Sequence, residues 1–279
     1  MAILFELRWT RYLRHGSGDC MEQDARRRQA SSFGAAAVAY AEHRPDYAVA
    51  AVRWALDCAP GARVLDLAAG TGKLTGVLVA LGADVIAVEP DPAMMTELVR
   101  ALPAVCTRPG RAEAIPLPDA SVDAVLAGNA LHWFDMAVAG PELARVLVPG
   151  GVLAGLWNVM DDRVDWVAGL NRVGGSAAVG PRDMLSTWRA ATARVLLPHD
   201  GRTGVFGVPE QAEFPHGQRR TADSLVATIA TRAGVLVMPA RERAATLDRI
   251  RAFLASRPET ASGEFILPML TGVLRVQRP

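Results

Sequence analysis

The sequence predicts a doubly wound α/β fold, a largely parallel sheet with helices on both faces. Three observations lead there. Val64, Leu65 and Leu67 form a short, β-favouring apolar run that passes directly into the small residues Ala68, Ala69, Gly70 and Gly72. Lys73 to Leu81 then carries apolar residues at helical spacing. Asp84-Val-Ile-Ala-Val-Glu89 comes next as a second strand that ends on a carboxylate. Strand, small-residue turn, helix and strand in succession is the unit from which parallel sheets are wound.

The turn and the carboxylate also point to a ligand. Glycines let a backbone approach a ligand closely, and the free N–H groups of the next helix favour a negative group on it. Glu89 stands about 20 residues past the glycines, the spacing of a carboxylate that accepts from both hydroxyls of a ribose. The expectation is a nucleoside-bearing cofactor. A phosphate-cradling loop of the Gly-x-x-x-x-Gly-Lys-Ser/Thr type does not fit, because Leu67 stands at the first glycine and Leu74 follows Lys73. A dinucleotide loop fits poorly, because Thr75 occupies the third small position, yet the turn does not exclude it. Lys73 is the single lysine, so the Tyr-x-x-x-Lys pair of short-chain reductases cannot occur.

Four motifs in order resemble the class I S-adenosylmethionine-dependent methyltransferases. Asp66-Leu-Ala-Ala-Gly-Thr-Gly72 is similar to the first motif, Asp/Glu-x-Gly-x-Gly-x-Gly, and departs from it at Ala68. Alanine prefers negative φ, which argues against a left-handed turn at that position. Val88-Glu-Pro-Asp-Pro-Ala-Met94 resembles the second motif, and Arg111 to Leu126 the stretch that closes over adenine. Asn129 to Asp135 resembles the segment after the fourth strand, and Leu143 to Leu153 the helix, turn and fifth strand. The closest flavour is the branch containing trans-aconitate and ubiquinone- or menaquinone-type methyltransferases.

The resemblance implies a Rossmann-like, seven-stranded sheet with an antiparallel last strand, a helical N-terminal lid and a cap insertion. It implies S-adenosyl-L-methionine as cofactor and cofactor contacts at Ala68, Gly70, Thr71, Gly72, Glu89, Pro90, Met94, Ala112, Glu113 and Asn129. In the lid, Tyr40 and Arg44 either reach the cofactor or pack. Arg44 would suit its amino-acid carboxylate. His132 and Trp133 face either the acceptor or the core, and His132 is either a general base or a positioning residue. The expected reaction is in-line methyl transfer to a small molecule. A non-catalytic cofactor-binding module is the alternative, and a nicotinamide-dependent oxidoreductase a weaker one.

Composition sets the remaining bounds. A chain of 279 residues with 51% apolar content can build one large domain, and a net charge of +1 suggests no nucleic-acid surface. Cys20, Cys58 and Cys106 are far apart, which suits free thiols in a reducing cytoplasm and neither a metal site nor a disulfide. No stretch is long and apolar enough to span a bilayer. Oligomeric state is not legible. Residues 1–30 are expected to be a disordered or misassigned extension, with Met21 as the natural start. The remaining 31–279 divide into a helical lid (31–59), a cofactor-binding core (60–157), a helical cap (158–208) and closing strands and helices (209–279). Pro268 suggests an edge or a bulge in the last strand.

Overall fold

The computed structural model describes residues 32–193 and 206–279. The expectations for residues 1–30, with Cys20 and Met21, lie outside the described residues, as does the part of the cap at 194–205. The strands are β1 Arg63–Leu67, β2 Asp84–Glu89, β3 Cys106–Pro109, β4 Val122–Gly128, β5 Leu147–Met160, β6 Glu210–Arg220 and β7 Phe265–Gln277. They form one 7-stranded sheet in the order β3-β2-β1-β4-β5-β7-β6. The first five run parallel. β7 is antiparallel to β5, and β6 is antiparallel to β7. The chain winds outward from β1 through β2 to β3, then returns to lay β4 on the other side of β1. Such a reversal opens a crevice at the carboxyl ends of the strands.

The helices are α1 Ala37–His43, α2 Val49–Leu56, α3 Lys73–Ala80, α4 Pro92–Ala101, α5 Met136–Val146, α6 Asp165–Ala178, α7 Leu185–Ala193, α8 Ala222–Ala230, α9 Ala233–Leu236 and α10 Ala240–Ala255. Alternation along β1 sends Leu65 and Leu67 to one face, with Leu143 and Trp157, and Val64 to the other, with Leu74 and Leu78. Each such buried leucine contributes roughly 1.5–3 kcal/mol. A third apolar cluster, with Trp166, Leu170, Ile229 and Ile250, joins α6, α8 and α10. α4 starts where Asp91 caps it: Oδ1 accepts from the N–H groups of Ala93 and Met94 at 2.8 and 3.1 Å, and Pro92 takes the first turn.

Three expectations are corrected. The segment 31–59 does not act as one layer, because α2 buries Ala51, Val52 and Ala55 fully against the sheet and only the piece around α1 lies over the crevice. β5 continues through Met160, into the segment assigned to the cap, because β7 pairs with it as far as Met269. β7 is interior, not an edge. Pro268 is tolerated because it lies one residue beyond the last pair with β5, Met160 with Met269, so its missing N–H costs no bond on that side. α6 is kinked at Gly175, which has φ 71.

Candidate active site

The crevice holds two cavities. The first, of about 240 Å³, sits at the ends of β1, β2 and β4. Its floor is the turn after β1, where Ala68, Gly70 and Gly72 have φ 57, 58 and 85. Ala68 therefore adopts the left-handed conformation its side chain disfavours, and the departure from glycine does not change the bend. A Cβ on Gly70 would meet nothing within 4 Å, so that face of the loop is an open cradle.

Glu89 ties the loop to β2. Its Oε2 accepts from the Gly70 N–H at 2.8 Å and its Oε1 from the Asp91 N–H at 2.9 Å. Burial pushes its carboxyl above the ordinary range, and the two backbone donors pull it back. Beneath the loop, burial pushes Asp66 up to about 7, opposed by the Thr75 hydroxyl, which donates to Oδ2 at 2.6 Å. Asp66 Oδ1 and Thr71 Oγ1 are buried with no hydrogen-bond partner among the described residues. Met94 and Ala112 supply apolar wall, and Glu113 Oε1 accepts from the Asp135 N–H at 3.0 Å.

The second cavity, of about 400 Å³, opens beyond the first. Phe33, Tyr40, Asn129 and Trp133 line both. Asn129, the residue after β4, has φ 51, a conformation asparagine tolerates. Its amide donates to the Tyr47 hydroxyl at 3.0 Å and accepts from the Asn158 N–H at 3.3 Å, which fixes the shared wall. The rings of Phe33 and Trp133 meet edge-on at 6.2 Å. Trp157 donates its ring N–H to His132 Nδ1 at 3.3 Å.

The first cavity gathers most of the expected contacts: Tyr40, Ala68, Gly70, Glu89, Pro90, Met94, Ala112, Glu113 and Asn129. Arg44 and His132 line the second cavity and not the first. Thr71 and Gly72 line neither; they face an outer groove beside Lys73. Phe33 and Arg111, within the lid segment and the adenine-closing stretch but not singled out as contacts, line the first cavity, and Trp157, Asp183 and Arg232 in the second were passed over. Asp91, also missed as a lining residue, had a signal in its place just before Pro92. Arg232 had none.

A model of the methyltransferase domain matches residues 65–155. A Mycobacterium tuberculosis protein described as an uncharacterized methyltransferase is 42% identical over 252 residues, spanning 90% of this chain and 97% of its own length. The chain belongs to the class I S-adenosylmethionine-dependent methyltransferases. A methyltransferase-like protein of Schizosaccharomyces pombe is 33% identical over 208 residues, spanning 73% of this methyltransferase and 78% of its own length. A solved structure described as a type II methyltransferase from Anaeromyxobacter dehalogenans superposes with a TM-score of 0.56 at 26% identity, covering 84% of this chain and 97% of that one.

The first cavity of this methyltransferase suits a sulfur nucleoside. Each Glu89 oxygen accepts one backbone N–H and so retains acceptor capacity. The Gly70 cradle is open, and Met94 and Ala112 are apolar. The domain match spans the strands that build this cavity but stops short of Trp157, Asp183 and Arg232 in the other.

Proposed function

We propose that this methyltransferase holds S-adenosylmethionine in the first cavity and transfers its methyl group to a small molecule held in the second. The observation that supports this best is the shared wall, since Phe33, Tyr40, Asn129 and Trp133 face both spaces. The second cavity, about 400 Å³, is within the range of small-molecule sites. The bound cofactor supplies an electrophilic methyl carbon on a sulfonium centre. The protein's task is then alignment, which can lower a barrier by roughly 7–11 kcal/mol, and exclusion of water.

Glu89 is assigned to the ribose hydroxyls, Gly70 and Ala68 to the aminoacyl end, and Pro90, Met94 and Ala112 to the faces of the base, with Glu113 at its rim. Thr71 and Gly72 shape the loop from outside. Tyr40 and Trp133 place π-faces where a sulfonium would be attracted. His132 is assigned a positioning role. An indole N–H can only donate, so the contact from Trp157 leaves Nδ1 bare and puts the neutral ring's proton on Nε2. In that tautomer Nε2 already carries a proton and cannot take another. We also assign the protein to the cytoplasm, where its exposed Cys58 and Cys106 thiols would stay reduced.

The test is incubation with methyl-labelled cofactor and a cell extract, followed by separation by mass. Label in the small-molecule fraction is expected. Label confined to protein or nucleic acid would overturn the acceptor class.

A further inference from the structure

We propose that Asn158 is a positioning residue for the cofactor site: it fixes the joint between α1 and α2, and through that joint the place of Tyr40 over the first cavity. This rests on the first cavity being the cofactor site. Asn158 lines neither cavity. It lies in β5, within the run Gly155-Leu-Trp-Asn-Val-Met160, and is 6% exposed. A buried amide costs free energy unless it is hydrogen-bonded, so its bonds indicate its role. Its Nδ2 donates to the carbonyls of Pro45 and Asp46, at 3.3 and 3.0 Å. Its Oδ1 accepts from the hydroxyl of Thr271, its partner across the ladder in β7, at 2.8 Å. Two carbonyls on one side and a hydroxyl on the other fix which way the amide faces, since the flipped amide would set its oxygen against two acceptors.

Thr271 Oγ1 also accepts from the Ala48 N–H at 3.0 Å. The backbone N–H of Asn158 donates to Asn129 Oδ1, and the Asn129 amide donates to the Tyr47 hydroxyl. The bonds close a ring, from the joint at Pro45 and Asp46 through Asn158 to Asn129 and back to the joint at Tyr47. Both sides of the ring reach the first cavity. Asn129 lines it directly. On the other side α1 runs into the joint, where the Arg44 N–H donates to the Tyr40 carbonyl at 3.0 Å and the Arg44 guanidinium rests 4.7 Å from the centre of the Tyr40 ring. Tyr40 lines the cavity. The end of α1 has a second tie, because the His43 carbonyl accepts from Thr228 and Arg220 at 2.8 and 2.7 Å, but neither of those residues lines a cavity. Asn158 couples the lid helix to a residue of the cavity wall. Without its amide the lid would leave its closed place for part of the time, and affinity for the bound nucleoside falls by the fraction of time the lid is closed.

The test uses the full chain and two readouts, calorimetric titration with S-adenosylhomocysteine and amide hydrogen exchange resolved by segment. In Asn158→Ala the affinity is expected to fall about tenfold, as for a lid closed about one-tenth of the time. Exchange over residues 37–48 should quicken, while exchange in α10, remote from the joint, stays as in the wild type. Thr271→Val removes the hydroxyl at nearly constant shape and should move both readouts the same way; Thr271→Ser restores the hydroxyl and should recover most of both. An affinity for Asn158→Ala within about threefold of the wild type would overturn the proposal. So would equal quickening in α10, the mark of a merely structural role. Should Asn158→Ala not fold, the threonine pair decides, and equal affinities of Thr271→Val and Thr271→Ser would overturn it. Each of these results, with wild-type binding intact, would defeat this inference alone. A wild-type chain that does not bind S-adenosylhomocysteine would defeat the methyl-transfer reading beneath it.

Discussion

The two cavities share a wall but are built on opposite plans. The first is assembled from strand ends and the turns that leave them, between Ala68 and Phe134, with α1 and Phe33 laid across. Its acids, Glu89, Asp91 and Glu113, share the lining with Arg111 and Asn129, and each already accepts backbone N–H groups. The second draws on Phe33, Asn129, Trp157, Asp183 and Arg232, from separate elements and loops that only the packed helices bring together. Among the described residues its charged groups include Arg44, Arg232 and Asp183, the last two 3.4 Å apart. A site made of backbone bends is set by local geometry and suits one fixed cofactor. A site made of side chains across distant elements is free to change with its ligand.

The comparison can be broken most sharply at Asp66, the buried acid beneath the first cavity. Its folded pKa of about 7 lies above the ordinary 3.8, so the native state holds the proton more tightly. The stabilisation this provides is complete below about pH 4 and is lost as pH rises to about 7. Relative to Asp66→Asn, the wild type should lose on the order of 3–4 kcal/mol over that window. Denaturant midpoints at pH 4, 5, 6, 7 and 8 check this, and parallel curves would contradict it.

Glu89→Ala should cost roughly 1.5–3 kcal/mol of S-adenosylhomocysteine affinity, because the loop and the sugar lose one charged acceptor together. Calorimetry checks this, and an unchanged affinity would take the sugar away from the first cavity. Gly234→Ala attacks the other side. A Cβ there would run into the Ala177 carbonyl, so α6 and α9 must separate. The expected cost is about 1–3 kcal/mol of stability, with S-adenosylhomocysteine binding retained. A matching loss of that binding in the same calorimetry would erase the distinction between the cavities. The smallest effect expected is at Trp157→Phe, about 0.5–1.5 kcal/mol from the lost bond to His132. Nitrogen NMR of the wild-type ring should show a protonated Nε2 and a bare Nδ1; the opposite tautomer would reopen a general-base role.

Legibility divides along the same line. Glu89 and Gly70 were readable because the turn and the next strand end lie close along the chain, with fixed spacing. Ala68 misled, since an intrinsic preference for negative φ gave way to a loop held by Glu89 and the sheet on both sides. Arg44 was legible as part of the lid segment but not as lining the second cavity, because its placement there depends on Thr231, 187 residues away. Thr71 was named with its neighbours, yet a one-residue step along a tight turn points it to the other side of the loop.

By itself the sequence determined the wound sheet, the bend after β1 and the acid at the end of β2, because each depends on residues within a few tens of positions and on backbone preferences that travel with them. The tertiary structure alone decided that Arg232 and Asp183 would line one cavity with Arg44, and that the Trp157 ring N–H would reach His132 Nδ1. Those contacts join residues tens to nearly two hundred positions apart, where no periodicity or spacing records the partner and only close packing selects it.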